Sequence, residues 1–309
     1  MQKKRYLTLL TLLSLVFLVG QSCESSDKSE GVFLGGSQGL SVNFLDDAPP
    51  ISGNYQNEAF PIDVELVNKG ETEIGEGSAI VYLTGAIASS TAVSSTLSNL
   101  MTSNTEFISG VIEGEDGIVE DGIVVPLGEA TYSGNILGDS IPVDVRASVC
   151  YPYETKVQIN DFCVPSTSRT ATSGTECSIN AATNLVKGKD NSGAPVHVTA
   201  LREQEGPNFV RVTLDINNVG TGQVVNICQR EVVRDNLDNV RITLPQNYIC
   251  SFRDGDSNTG TVELRSGHAV LRCKRDINNP GSAFKEPLVL TLNYNYMQEV
   301  SKTVNINKA

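Results

Sequence analysis

A short pattern that occurs twice constrains this chain more than any other feature of it. Tyr151-Pro-Tyr153 is followed by Val157-Gln-Ile159, and Tyr294-Asn-Tyr296 is followed by Val304-Asn-Ile306. In both places an alternating strand ends in Tyr-x-Tyr, a few polar residues intervene, and a Val-x-Ile strand follows. The pattern reads as a hairpin that closes a module. An earlier landmark repeats at nearly the same offset: Asn68-Lys-Gly70 and Asn218-Val-Gly220 each end an alternating strand. Asn and Gly tolerate the left-handed backbone that such turns use. Two landmarks in the same order, twice, predict two copies of one all-β module.

The strands between the landmarks agree. Phe60, Ile62, Val64 and Leu66 alternate with Asp63 and Glu65, a period of two with one buried face. Phe209–Ile216 repeats that pattern before Asn218. Residues 85–125 are less regular: 96–101 reads as a short helix or a loop, and the acidic, glycine-rich stretch at 113–122 as a solvated hairpin tip. With 309 residues, the length suits two domains. Several short strands with turns about every ten residues indicate an immunoglobulin-like sandwich. The organisation expected is a signal peptide over 1–23, a flexible tether over 24–36, a first sandwich over 37–165, a linker over 166–193 and a second sandwich over 194–309.

The leader carries Lys3, Lys4 and Arg5 ahead of an apolar segment, Tyr6 to Gly20, that is short for a membrane span. It ends in Gly20-Gln-Ser-Cys23. This resembles a prokaryotic lipoprotein signal, with Gly20 where such signals usually carry Leu. The resemblance implies a lipid on Cys23 and contact with the membrane through that anchor alone. The strand that ends in Asn-x-Gly resembles the cell-adhesion-related immunoglobulin-like domains of bacterial and archaeal surface proteins. That likeness implies a fold and a location and carries over no functional residue. The chain has no Trp, so it lacks the tryptophan that antibody-type domains pack on their disulfide.

Seven cysteines are present: Cys23, Cys150, Cys163, Cys177, Cys228, Cys250 and Cys273. Setting Cys23 aside leaves six, which reads as three disulfides in an oxidising compartment. Cys250 and Cys273 fall on neighbouring strands and are the first pair expected. Cys163 and Cys177 could form a local clip, but spacing leaves three arrangements open for the remaining four. No pair has zinc-type spacing.

A formal charge of −13 argues against nucleic acid and against anionic lipid as partners. The sharpest local motif is Asp254, Asp256 and Asn258, oxygen side chains at alternate positions as in the first half of a calcium loop. Its glycine comes one place late and Arg265 stands where the closing Glu belongs, so the expectation is a hairpin turn and no cofactor. His197, flanked by valines in a strand, reads as a surface residue, and His268 as a turn residue. There is no Gly-x-Ser-x-Gly, His-Glu-x-x-His or phosphate loop. The function expected is that of a surface protein without enzymatic activity, acting in adhesion, envelope structure or partner binding. Its partner would be another surface protein or an envelope component. The alternatives are a filament subunit and an accessory subunit of an exported enzyme or transporter.

Overall fold

The computed structural model describes residues 31–85, 93–95, 101–166, 177–229, 238–277 and 283–309. Cys23, the signal peptide and residues 24–30 of the tether lie outside them, as do residues 96–100 and 167–176. Among the described residues every regular element is a strand, so the chain is an all-β, sandwich-type protein.

The first half holds β1 (Leu40–Phe44), β2 (Asn54–Tyr55), β3 (Ala59–Asn68), β4 (Ile80–Gly85), β5 (Val93–Ser95) and β6 (Met101–Ser103). A small hairpin follows, β7 (Ile112–Gly114) and β8 (Gly117–Val119), at the acidic tip. Then come β9 (Asp121–Tyr132) and β10 (Ser140–Val164). The second half holds β11 (Val196–Glu205), β12 (Phe209–Asn218), β13 (Gln223–Val225), β14 (Asn239–Thr243) and β15 (Tyr248–Phe252). It ends with β16 (Gly255–Ser257), β17 (Thr259–Glu263), β18 (His268–Asp276) and β19 (Phe284–Asn307).

Two sheets are confined to one half each, in the orders β1-β3-β9-β5 and β11-β12-β18-β15-β16. The third crosses the whole molecule in the order β17-β14-β19-β10-β4-β6. Its middle is a pair of strands of unusual length, β10 with 25 residues and β19 with 24. They pair antiparallel from Ser140↔Asn307 to Val164↔Phe284, with one irregularity between Ile159 and Phe162.

This corrects the closing hairpins. Neither Tyr-x-Tyr is followed by a turn: the chain runs straight on, and each Val-x-Ile strand enters the opposite half. Val157 and Ile159 pair with Leu290 and Leu288, while Val304 and Ile306 pair with Val143 and Ile141. The local sequence gives the reason. Between Tyr151 and Val157 lie Pro, Tyr, Glu, Thr and Lys; between Tyr296 and Val304 lie Met, Gln, Glu, Val, Ser, Lys and Thr. Neither segment has the Gly, Asn or Asp that a tight hairpin requires, and Pro152 holds Tyr151 extended. Each half therefore lends its last strand to the other. With two strands shared, Gly31–Ala309 forms a single compact unit.

The two halves correspond down to single hydrogen bonds around their tyrosines. In the first half Leu40 N donates to the Tyr151 hydroxyl (3.0 Å), the Tyr153 hydroxyl donates to Asn68 Oδ1 (3.2 Å), and Gly70 N donates to the same oxygen (3.1 Å). In the second half Val196 N donates to the Tyr294 hydroxyl (3.3 Å), the Tyr296 hydroxyl to Asn218 Oδ1 (3.1 Å), and Gly220 N to that oxygen (3.2 Å). Asn68 Nδ2 closes its turn on Thr72 O (2.7 Å), and Asn218 Nδ2 on Gly222 O (2.8 Å). Register places Tyr151 opposite Tyr296 and Tyr153 opposite Tyr294, so the centre of local two-fold symmetry falls at Pro152↔Asn295. The four rings meet in the core with centroids 5.6–6.5 Å apart, edge to face except Tyr153 and Tyr294, which are tilted at 51°. Burial pushes all four phenols upward. They are core residues, each with its hydroxyl satisfied.

Candidate functional site

The local symmetry makes β4 and β14 counterparts. Ile80 stands beside Cys150 as Arg241 stands beside Asn293, and β6 and β17 follow in the same register. Side chains alternate along each strand, so Val240, Ile242, Leu292 and Tyr294 enter the core while Asn239, Arg241, Asn293 and Asn295 face outward. On the outer face the two halves diverge.

In the first half that face is closed. Cys150 bonds Cys228, which brings the segment after β13 over the sheet. Tyr82, Cys150, Val225 and Met297 are buried there as a small second core, with Ile80 and Cys228 packed against them. Burial raises the Tyr82 phenol above its usual range.

In the second half the described residues leave the face open and polar. Asn226, Asn239, Arg241, Thr261, Asn293 and Asn295, with Pro152 and Val225 at the margin, line a cleft of about 470 Å³. Asn295 Nδ2 donates to Asn226 O (2.9 Å), which fixes the edge of the cleft nearest the disulfide. Arg241 is exposed and has no ion-pair partner among the described residues. A second, larger cleft of about 780 Å³ adjoins it, since Asn239 and Thr261 line both. Arg253, Asp254, Glu263, Arg265 and His268 reach into this second space, where Arg253 sits 3.8 Å from Glu263. The arrangement offers amides, a hydroxyl and guanidinium groups to a bound molecule: Asn239, Arg241, Thr261, Asn293 and Asn295 from the strands, Arg253 and Arg265 from the turns beside them.

The remaining residues singled out in the sequence are placed as follows. Cys163 bonds Cys177, and Cys250 bonds Cys273 between β15 and β18. These disulfides place the chain in an oxidising, extracytoplasmic compartment. Asp254 occupies the turn between Phe252 and Gly255, a position of positive φ, and Asp256 lies on β16. Asn258 spends its amide on the carbonyl of Leu244 (3.0 Å). Among the described residues no group of three or more His, Cys, Asp or Glu is placed to hold a metal ion. His268 Nε2 lies 3.9 Å from Asp215 Oδ1. His197 is less exposed than its strand suggests, and burial pushes its imidazole below the usual value.

Sequence reasoning missed one buried polar cluster. Glu203 is only 4% exposed; its Oε1 accepts the Cys163 amide at 2.7 Å, and burial raises its carboxyl to about 7. Close by, Arg275 grips Glu286 with Nε at 2.7 Å and Nη2 at 2.9 Å, linking β18 to β19. Simple alternation from Val196 and Val198 would point Arg202 inward. A bulge between Val198 and Ala200 shifts the phase, so Leu201 and Glu203 enter instead.

No family model matches the chain, and no curated protein does. Among solved structures it is similar to the secreted serine protease VesC from Vibrio cholerae, at 11% identity and a TM-score of 0.20, over 83% of this chain. The chain spans 50% of the length of that protease. It is also similar to a triple jelly-roll protein of an archaeal virus turret, at 9% identity and a TM-score of 0.10, over 89% of this chain and 92% of the other. The protease likeness corrects the expectation that enzymatic activity is lacking, which is withdrawn. At these TM-scores neither likeness carries an argument about fold or chemistry.

Proposed function

We propose that the protein works at the cell surface, held there by a lipid on Cys23, and binds another surface protein or an envelope component through the polar cleft of its second half. One observation carries this reading. Two copies of a module share the same outer face in register, yet one copy is sealed by Cys150–Cys228 and apolar side chains while the other exposes Arg241 and three asparagines. Stability alone favours sealing such a face, because covering apolar area lowers free energy and exposed polar side chains add little. An open, polar face on a rigid sheet fits a binding role. The leader and the acidic, disulfide-linked body support the location.

The test uses chain purified from its native membrane and isolated envelopes of the same cells. Mass spectrometry should find a lipid on Cys23. Wild-type protein should be retained on the envelopes, and Arg241→Gln should be retained at least about tenfold less, a loss of roughly 1.4 kcal/mol. Equal retention of the variant would sink the role of the cleft. An unmodified Cys23 would sink the anchor.

A further inference from the structure

We infer that the cleft takes an acidic oligosaccharide, a chain of sugars bearing carboxylates. The inference rests on the reading that the cleft is a binding site, and it names the ligand class.

The lining suits hydroxyl groups. Each asparagine offers a donor and an acceptor, and Asn239, Asn293 and Asn295 stand on neighbouring strands of one face with the Thr261 hydroxyl beside them. Sugar hydroxyls likewise donate and accept. The charge is local and opposite to that of the chain. Against a formal charge of −13, the two adjoining clefts present Arg241, Arg253 and Arg265 with only Asp254 and Glu263. Arg241 and Arg265 have no ion-pair partner among the described residues. A guanidinium fork matches a carboxylate in two-point contact. At physiological salt the field decays over about 8 Å, so distant carboxylates are screened. Asp215, 3.9 Å from His268, and Asp238, next to Asn239, act on the second cleft, and the positive site centres on Arg241.

Two other ligand classes fit less well. Neutral sugars are commonly held by stacking on an exposed ring, but Tyr153 and Tyr294, the rings nearest the cleft, are 3% and 6% exposed and turned into the core. An extended peptide needs a free strand edge or apolar pockets. The edge strand β17 borders both clefts, but Arg241, Asn293 and Asn295 stand on the interior strands β14 and β19, where Arg241 is already paired on both sides with Thr261 and Asn293, and Val225 is buried. The meeting of the two clefts at Asn239 and Thr261 gives room for several sugars in a row.

The test is calorimetry on the mature chain with its disulfides intact. The probes are tetragalacturonate, its methyl ester, and a tetraglutamate peptide. Tetragalacturonate should bind, and its affinity should fall at least about tenfold for the ester, for the peptide and in Arg241→Gln. Binding should weaken as salt rises. Asn239→Ala should weaken it severalfold and leave the salt dependence unchanged. Absence of heat with tetragalacturonate at millimolar concentration would overturn the inference. So would equal binding of ester or peptide, or unchanged affinity in Arg241→Gln. Envelope retention separates the two claims. If wild-type chain is retained and Arg241→Gln is not, while tetragalacturonate gives no heat, the sugar class fails and the cleft stands. If both are retained alike, the cleft itself fails.

Discussion

The two outer faces of the central sheet start from the same backbone and end as different surfaces. Ile80 and Cys150 occupy the places of Arg241 and Asn293, and a disulfide with a small apolar cluster covers the first face. Behind both faces the Tyr–Asn–Gly junctions are the same. The junctions specify how the halves interlock, so neither copy can lose them. The outer face lies beyond that constraint, and only there do the copies part. Divergence sits where the fold does not need agreement.

Breaking the covered face should have the largest effect. Replacing Cys150 and Cys228 with Ala removes a cross-link over 78 residues and should cost about 3–4 kcal/mol in denaturant unfolding. It should also expose Tyr82 and Met297 to a hydrophobic dye. A variant as stable as wild type would mean that the apolar cap, not the bond, holds the face shut.

The junctions come next. A Cβ on Gly70 would meet the Tyr153 hydroxyl and stand 2.5 Å from Gly193 O, a backbone atom that cannot swing aside. On Gly220 it would meet the Tyr296 hydroxyl and stand 2.7 Å from Pro195 Cβ. Gly70→Ala and Gly220→Ala should each destabilise by about 1–3 kcal/mol, with Gly70→Ala the worse. Equal, negligible losses would show that the two-fold junctions do not hold the halves.

Glu203 has no counterpart in the first half among the groups whose carboxyl is raised to about 7, and it gives a pH signature. Its folded pKa lies above the unfolded value of 4.5, so the folded chain binds the extra proton. This group therefore lowers stability as pH rises from about 4.5 to 7, and the loss is complete above that. Glu203→Gln keeps an oxygen for the Cys163 amide and should stabilise the chain by about 2 kcal/mol at pH 8, with no gain at pH 4. A gain independent of pH would refute the buried charge as its cause. The smallest effect on folding belongs to Arg241→Gln. Its unfolding midpoint should match wild type within about 0.5 kcal/mol, so that any binding loss reports on the cleft.

Much of the fold was legible in the sequence. Period-two patterns gave the strands at Phe60–Val67 and Phe209–Ile216, and Asn-x-Gly marked equivalent turns. The candidate site was not legible. Asn239, Arg241, Asn293 and Asn295 look like the ordinary polar positions of alternating strands. They become a site only because β14 and β19 set them side by side and, among the described residues, none covers them. Glu203 was hidden for a different reason: one bulge inverts the alternation, and no residue announces a bulge in advance.

The sequence by itself determined that the chain is built of strands, that the Asn-x-Gly and Tyr-x-Tyr landmarks recur in the same order, and that six cysteines remain once Cys23 is set aside, because side-chain periodicity and cysteine number are local properties. Only the tertiary structure decided where each Val-x-Ile strand goes. A strand finds the same kind of apolar partner in either half, so its pattern cannot say which. The segments after each Tyr-x-Tyr lack tight-turn residues and stay extended, and the long antiparallel pairing of β10 with β19, broken only between Ile159 and Phe162, supplies their backbone partners along one edge.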